Sequence, residues 1–174
     1  MYLKGTEDFV LKLSTDKMRL LKWYVDASYA VHNDLKSHTG GSFTMGRGTI
    51  YGRSSKQKLN VKSSTEAELV GFDDCMSQIL WTNYFVDAQG YKARGTIGYQ
   101  DNRSAILLET NGRRSSSKRT KHLNVRYFFV TNRIKSGDIS IEYCPTMEMV
   151  ADFFTKPLQG ELFYKFRDEI MGHK

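Results

Sequence analysis

Three features of the chain predict an α/β fold on a mixed sheet. Short apolar segments with turn signals between them open the chain, as in an antiparallel meander. Longer stretches then show apolar residues at helical spacing, and short strand-like runs alternate with them. Strand–helix–strand order implies parallel pairing of the later strands, so the sheet mixes both directions. The expected order is three antiparallel strands, helix, strand, helices, strand, helix.

Taken in order, 9–14 and 20–28 read as strands parted by Ser14–Thr15–Asp16–Lys17. The stretch from His32 to Gly41 is polar and turn-rich. Segments 42–46 and 48–55 read as strands joined around Gly46–Arg47–Gly48. Ser63 or Ser64 can cap a following helix, with Glu66 in its first turn. Leu69, Phe72, Met76, Ile79 and Leu80 form its apolar stripe, and Gly90 ends it. Trp81, Tyr84 and Phe85 are expected in the core rather than as a base-stacking platform. Thr96 to Asp101 is a short strand and Ser104 to Glu109 a short helix. A long helix carries Leu123, Tyr127, Val130 and Ile134 on one face and stops at Gly137. Ile139 to Tyr143 alternates as a strand, and Pro145 breaks it. Thr146 starts a last helix, closed by Lys156–Pro157, and a polar, aromatic tail follows.

The 174 residues fit one domain with a real core. A hydrophobic fraction of 40% excludes a disordered tail. The net charge of +7 favours a polyanionic partner. No apolar run approaches the ~20 residues of a membrane span, so no membrane partner is expected. Cys75 and Cys144 are too few for a disulfide framework. Buried and reduced, they suit an intracellular setting. The four histidines show no metal-ligand spacing.

Against this basic background, four acids sit at the ends of apolar elements. Asp26 follows Leu20–Leu21–Lys22–Trp23–Tyr24–Val25, and Asp101 ends Thr96–Ile97–Gly98–Tyr99–Gln100. Glu68 shares a helical face with Leu69 and Phe72, and Asp152 lies among Val150, Ala151 and Phe153. A lone buried carboxylate is costly unless it is paired or holds a metal. Four of them on separate elements imply a shared cation site, fit for metal-assisted chemistry on a polyanion. Hard oxygen ligands select Mg²⁺ or Mn²⁺. Glu66 competes with Glu68 for the fourth position.

Five segments carry a family resemblance. Tyr24–Val25–Asp26–Ala27–Ser28–Tyr29–Ala30 resembles the opening strand of the ribonuclease H domain in copia-type retrotransposon polyproteins. So do Ser63–Ser64–Thr65–Glu66–Ala67–Glu68, Gln100–Asp101–Asn102–Arg103–Ser104–Ala105, Arg119–Thr120–Lys121–His122, and Ala151–Asp152–Phe153–Phe154–Thr155–Lys156–Pro157–Leu158, in the same order. The resemblance implies a ribonuclease H-like fold, a five-stranded mixed sheet flanked by helices. It implies hydrolysis of the RNA strand of RNA–DNA hybrids, with Asp26, Glu68, Asp101 and Asp152 as ligands of two Mg²⁺ or Mn²⁺ ions. Glu68 is preferred to Glu66 because a large apolar residue, Leu69, follows it. Asp26 is expected to bridge the ions, with Glu68 and Asp101 on the leaving-group side and Asp152 on the water side. One departure stands out: the loop Cys144–Pro145–Thr146–Met147 lacks the histidine that many cellular relatives carry before the last aspartate.

For hybrid binding, Ser63, Ser64 and Thr65 are candidates for the RNA 2′-hydroxyl, with helix capping as the plainer role. Ser28 and Asn102 are candidates for phosphate. The basic run 112–122 offers Arg113, Arg114, Lys118, Arg119 and Lys121 to the backbone. By resemblance, 1–19 ends a reverse-transcriptase region, 20–160 is the ribonuclease H domain and 161–174 a C-terminal tail. The chain is then a C-terminal piece of a polyprotein, working in a cytoplasmic virus-like particle or the nucleus. Two other readings remain: a non-catalytic domain that tethers hybrid to the polymerase, and a DNA-cutting or strand-transfer relative.

Overall fold

The computed structural model describes residues 5–112 and 124–173. Its main sheet has five strands in the order β5-β3-β2-β6-β7. They are β2 (Leu20–Ser28), β3 (His38–Thr44), β5 (Tyr51–Lys56), β6 (Gly95–Gln100) and β7 (Ser140–Tyr143). β3 pairs antiparallel with β2 and β5, while β6 runs parallel to β2 and β7. A two-stranded ribbon joins β1 (Ser14–Thr15) to β4 (Gly46–Arg47). Helices α1 (Ser64–Ala88), α2 (Arg103–Asn111), α3 (Asn124–Lys135) and α4 (Gly160–Ile170) complete the fold, with two 3-10 turns at Thr146–Glu148 and Val150–Phe154. The mixed sheet flanked by helices is the one that the element order predicts.

The strand period sorts β2. Leu21, Trp23 and Val25 face α1 and join Phe72, Met76 and Ile79 in the main core. Phe72 packs closely on β6: a Cβ at Gly98 would meet its ring at 2.5 Å. Alternate residues Tyr24, Asp26 and Ser28 face the other way, towards the second 3-10 turn. That turn sits against β3 because Gly40 has no side chain. A Cβ there would lie 2.6 Å from Thr155 Cγ2 and 2.7 Å from the Ala151 carbonyl oxygen. Close approach of backbones is one of the uses of glycine.

Several expectations change. Residues 38–41 belong to β3 rather than to a turn, since Gly40 serves this close packing and Gly41 lies against Cys75 of α1. Residues 9–13 form no strand. They are held instead by the end of the chain, where the Lys12 N–H donates to the Met171 carbonyl at 2.9 Å and Phe9 stacks on His173 at 4.2 Å. The last helix expected after Thr146 is a pair of 3-10 turns. The stretch read as a tail carries α4, anchored by the wholly buried Phe166. Trp81, Tyr84 and Phe85 are not core. They are 56%, 62% and 49% exposed, on the face of α1 opposite Met76, Ile79 and Val86. No helix among the described residues is long and apolar enough to cross a membrane.

Candidate functional site

The parallel register of β2 and β6 fixes the first two acids. Tyr24 pairs with Tyr99, so Asp26 and Asp101 come level two residues further on, at the C-terminal ends of the strands. Ligand sites of open α/β sheets gather at such ends. The second 3-10 turn, seated on Gly40, brings in Asp152. Carboxylate oxygens of Asp26, Asp101 and Asp152 then all lie within 4.8 Å of one another. Asp26 and Asp152 are each only 2% exposed.

Glu68 comes from the second turn of α1. It is 5% exposed and lies outside that 4.8 Å set, but is electrostatically part of the cluster. Burial first, then the charges of Asp26 and Asp101, hold its carboxyl well above the usual range, against the pull of the Ala27 N–H. Its Oε2 has no hydrogen-bond partner. Burial and the charge of Asp26 likewise push Asp152 up to about 6, although Lys156 opposes them. Both shifts have the sign expected where like charges crowd together. Glu66 does different work. The Ser63 hydroxyl accepts from the Glu66 N–H at 3.2 Å, and the Glu66 carboxylate accepts from the Lys62 N–H at 2.7 Å. This closes the start of α1 in the manner of a capping box and turns Glu66 away from the acids.

Three residues missed in the sequence steady the carboxylates. The Thr146 hydroxyl donates to Asp101 Oδ2 at 2.9 Å, from the loop that lacks a histidine. The Thr155 hydroxyl donates to Asp26 Oδ2. The Lys156 ammonium group lies 2.7 Å from Asp152 Oδ1 and 3.6 Å from Asp26 Oδ1. The i,i+4 spacing of Asp152 and Lys156 is the signal that could have revealed the last.

Comparison with known proteins shows what this chain is similar to. No family model matches the chain. Over 173 residues, 99% of its length, the chain is 33% identical to the Retrovirus-related Pol polyprotein from transposon TNT 1-94 of Nicotiana tabacum. It is 32% identical over 171 residues, 97% of the chain, to that from transposon RE1 of Arabidopsis thaliana. The chain spans 13% and 12% of the length of these relatives. A ribonuclease H1 isolated from compost, LC11-RNase H1, superposes with a TM-score of 0.57 at 12% identity, covering 79% of this chain and 93% of that one. The same enzyme in complex with an RNA/DNA hybrid gives 0.52 at 9% identity, covering 74% and 88%. The chain has a ribonuclease H fold and is similar in sequence to one stretch of copia-type Pol polyproteins. The sequence likeness and the distant superpositions are independent of each other.

Within this ribonuclease H-like domain, the remaining candidates scatter. Ser63 caps α1, Ser64 is exposed and Thr65 half-buried beside it. Ser28 is buried and donates to the Thr155 carbonyl at 3.3 Å. Asn102 caps α2 by accepting from the Ser104 and Ala105 N–H groups. Arg113, Arg114, Lys118, Arg119 and Lys121 lie outside the described residues, as does His122. Cys75 and Cys144 are buried free thiols, as expected.

The acids fit a hard divalent cation. All their donors are carboxylate oxygens, three converge, and the buried Glu68 Oε2 lacks any other partner. They fit no soft metal, since Cys144 packs in a small cluster with Met149 and Ala151.

Proposed function

We propose that this domain is a metal-dependent endonuclease that hydrolyses the RNA strand of RNA–DNA hybrids during retrotransposon reverse transcription. The observation that carries the reading is the convergence of Asp26, Asp101 and Asp152 within 4.8 Å at the ends of two parallel strands. Asp26, Glu68, Asp101 and Asp152 would hold two Mg²⁺ or Mn²⁺ ions. Bound there, such ions supply an activated water and neutralise charge on the phosphate and leaving oxygen. The chain's own residues shape the site. Thr155 and Thr146 orient one oxygen each of Asp26 and Asp101. Burial of Asp26, Glu68 and Asp152 keeps bulk water from their carboxylates. The α1 start, with Ser64 and Thr65 accessible, offers hydroxyls to the 2′-OH that distinguishes RNA.

The basic run 112–122 would hold the backbone of the hybrid, by counterion release. A polyprotein setting makes the reverse-transcriptase domain the natural covalent partner, and a virus-like particle or the nucleus the place of action. A structural neighbour that binds an RNA/DNA hybrid supports the substrate class. Four acids at one strand-end site argue against a mere tether, which has no use for them.

The test is cleavage of labelled RNA–DNA, RNA–RNA and DNA–DNA duplexes with Mg²⁺ or Mn²⁺. Only the RNA of the hybrid should be cut. Asp26→Asn should abolish cutting while the fold and hybrid binding persist. An intact hybrid with either metal, or near wild-type cutting by Asp26→Asn, refutes the reading.

A further inference from the structure

Two acids of the triad already share a cation, and it belongs to the chain. Lys156 follows Asp152 by four residues and turns back over it, so its Nζ sits 2.7 Å from Asp152 Oδ1. The same Nζ is 3.6 Å from Asp26 Oδ1, on a different element of the fold. Asp26 is thus held from two sides, by Lys156 at Oδ1 and by the Thr155 hydroxyl at Oδ2. Both donors come from the residues just after Asp152. Two nearly buried carboxylates this close repel each other strongly unless a positive charge lies between them. The ammonium group supplies that charge. It keeps an outlet as well, because the Lys156 side chain is 37% exposed while those of Asp26 and Asp152 are 3% exposed.

The carboxylate oxygens that Lys156 contacts are those that a divalent cation needs. A Mg²⁺ ion binds such oxygens at about 2.0–2.1 Å. On Asp152 Oδ1 it would come no further than about 5 Å from an ammonium group left in place. Two unlike cations on one oxygen pair repel each other, and the ammonium is on a flexible four-carbon stem. We propose that Lys156 is a resident counter-cation of this site: it holds Asp26 and Asp152 together when no metal is bound, and it is displaced when a divalent cation takes their oxygens. The idea rests on the metal site proposed above. It gives the site two stable states with nearly the same carboxylate positions. It also weakens metal binding, since each ion must first break the ion pairs of Lys156. The released ammonium remains tethered at the rim, where an incoming phosphate passes.

The test uses calorimetric titration of the 174-residue chain with Mg²⁺ and with Mn²⁺, and thermal unfolding in chelator. No nucleic acid is needed. Lys156→Met should melt roughly 2–6 °C lower than wild type in chelator. The same variant should bind the divalent cation about tenfold more tightly, because nothing competes for the oxygens. Lys156→Arg, which keeps the charge, should leave both values near wild type. If Lys156→Met does not fold in chelator, Lys156→Gln carries the comparison, since it removes the charge but keeps donors to Asp152. Wild-type affinity or weaker in both uncharged variants overturns the exchange alone. A wild-type chain that binds neither cation overturns the metal site itself, and the exchange with it.

Discussion

A single methyl group at residue 40 tests the link between packing and site. In Gly40→Ala the new carbon would stand 2.6 Å from Thr155 Cγ2, 2.7 Å from the Ala151 carbonyl oxygen and 3.1 Å from Phe154 Cβ. Favourable carbon contacts begin near ~3.5 Å, so the 3-10 turn must retreat by roughly 0.7–1 Å. One of the obstructing atoms is backbone, so a rotamer change alone cannot clear the clash. Overpacking of this kind costs about 1–3 kcal/mol. In a chain of this size each kcal/mol lowers Tm by roughly 2–4 °C. The retreating turn carries Asp152, Thr155 and Lys156, so the site opens with it. A misplacement near 1 Å can cost about 10²-fold in rate. Thermal melts and hybrid cleavage well below Tm measure the two effects separately. Gly5→Ala, with nothing within 4 Å of the new carbon, is the control and should match wild type. Gly40→Ala with a wild-type Tm refutes the packing. A lowered Tm with full cleavage refutes the claim that this packing positions Asp152.

Three further outcomes follow from the charges. Glu68→Gln should abolish cleavage, whereas Glu66→Gln should keep it and lose only about 0.5–1 kcal/mol of stability from the helix start; full activity of Glu68→Gln would exchange their roles. Burial and neighbouring charges raise the folded pKa of Glu68 and Asp152, so their contribution to stability is complete below about pH 4 and fades as pH rises, through about 6 for Asp152. His38, lowered by burial and by His32, works with the opposite sign. In chelator, therefore, the comparison is wild type against Glu68→Gln: the variant should be the more stable at pH 8, and the gap should close towards pH 5. A gap that does not depend on pH would mean that Glu68 is not charged against its surroundings. Finally, Arg113→Ala with Arg114→Ala should weaken hybrid binding and reduce the log–log salt slope by roughly 0.9 for each phosphate no longer neutralised, with little change in the cleavage step. An unchanged slope would make that run an ordinary solvated loop.

The sequence shows best what a strong period or a misplaced charge writes into it. The stripe Leu69, Phe72, Met76 and Ile79 marks α1 because burial demands apolar side chains at helical spacing. Asp26, Asp101 and Asp152 stand out because each follows an apolar run that a carboxylate should avoid. What stayed hidden depends on partners distant in sequence. β3 looks like a turn because its Gly40 answers to Ala151 and Thr155, more than 100 positions away. Residues 9–13 look like a strand, yet the Lys12 N–H is satisfied by Met171 and those of Phe9 and Val10 by Thr6 and Asp8. Trp81, Tyr84 and Phe85 look like core because aromatic content says nothing about helix phase. α4 was legible after all: Leu162, Phe166 and Ile170 recur every four residues. Exposed Tyr164 and the charged positions among them disguise that stripe.

Charge in this domain works on two scales with opposite signs. The whole chain carries +7, which draws a polyanion from a distance. The corner where Asp26, Glu68, Asp101 and Asp152 meet is locally negative and repels the phosphate that the rest attracts. Screening cannot reconcile the two, because buried charges are screened little by salt. Only cations placed among the carboxylates can reverse the local sign, and on the proposed reading they are part of the surface that the hybrid meets. Lys156 reverses one charge of four, and the divalent ions would reverse the rest. Substrate and metal therefore favour each other's binding through the same carboxylates, with the reciprocity that linkage demands. On that reading an acidic pocket can persist in a chain of net charge +7. On the proposed reading the acids would set where the backbone is accepted and when, while the net charge of +7 would set how strongly it is held.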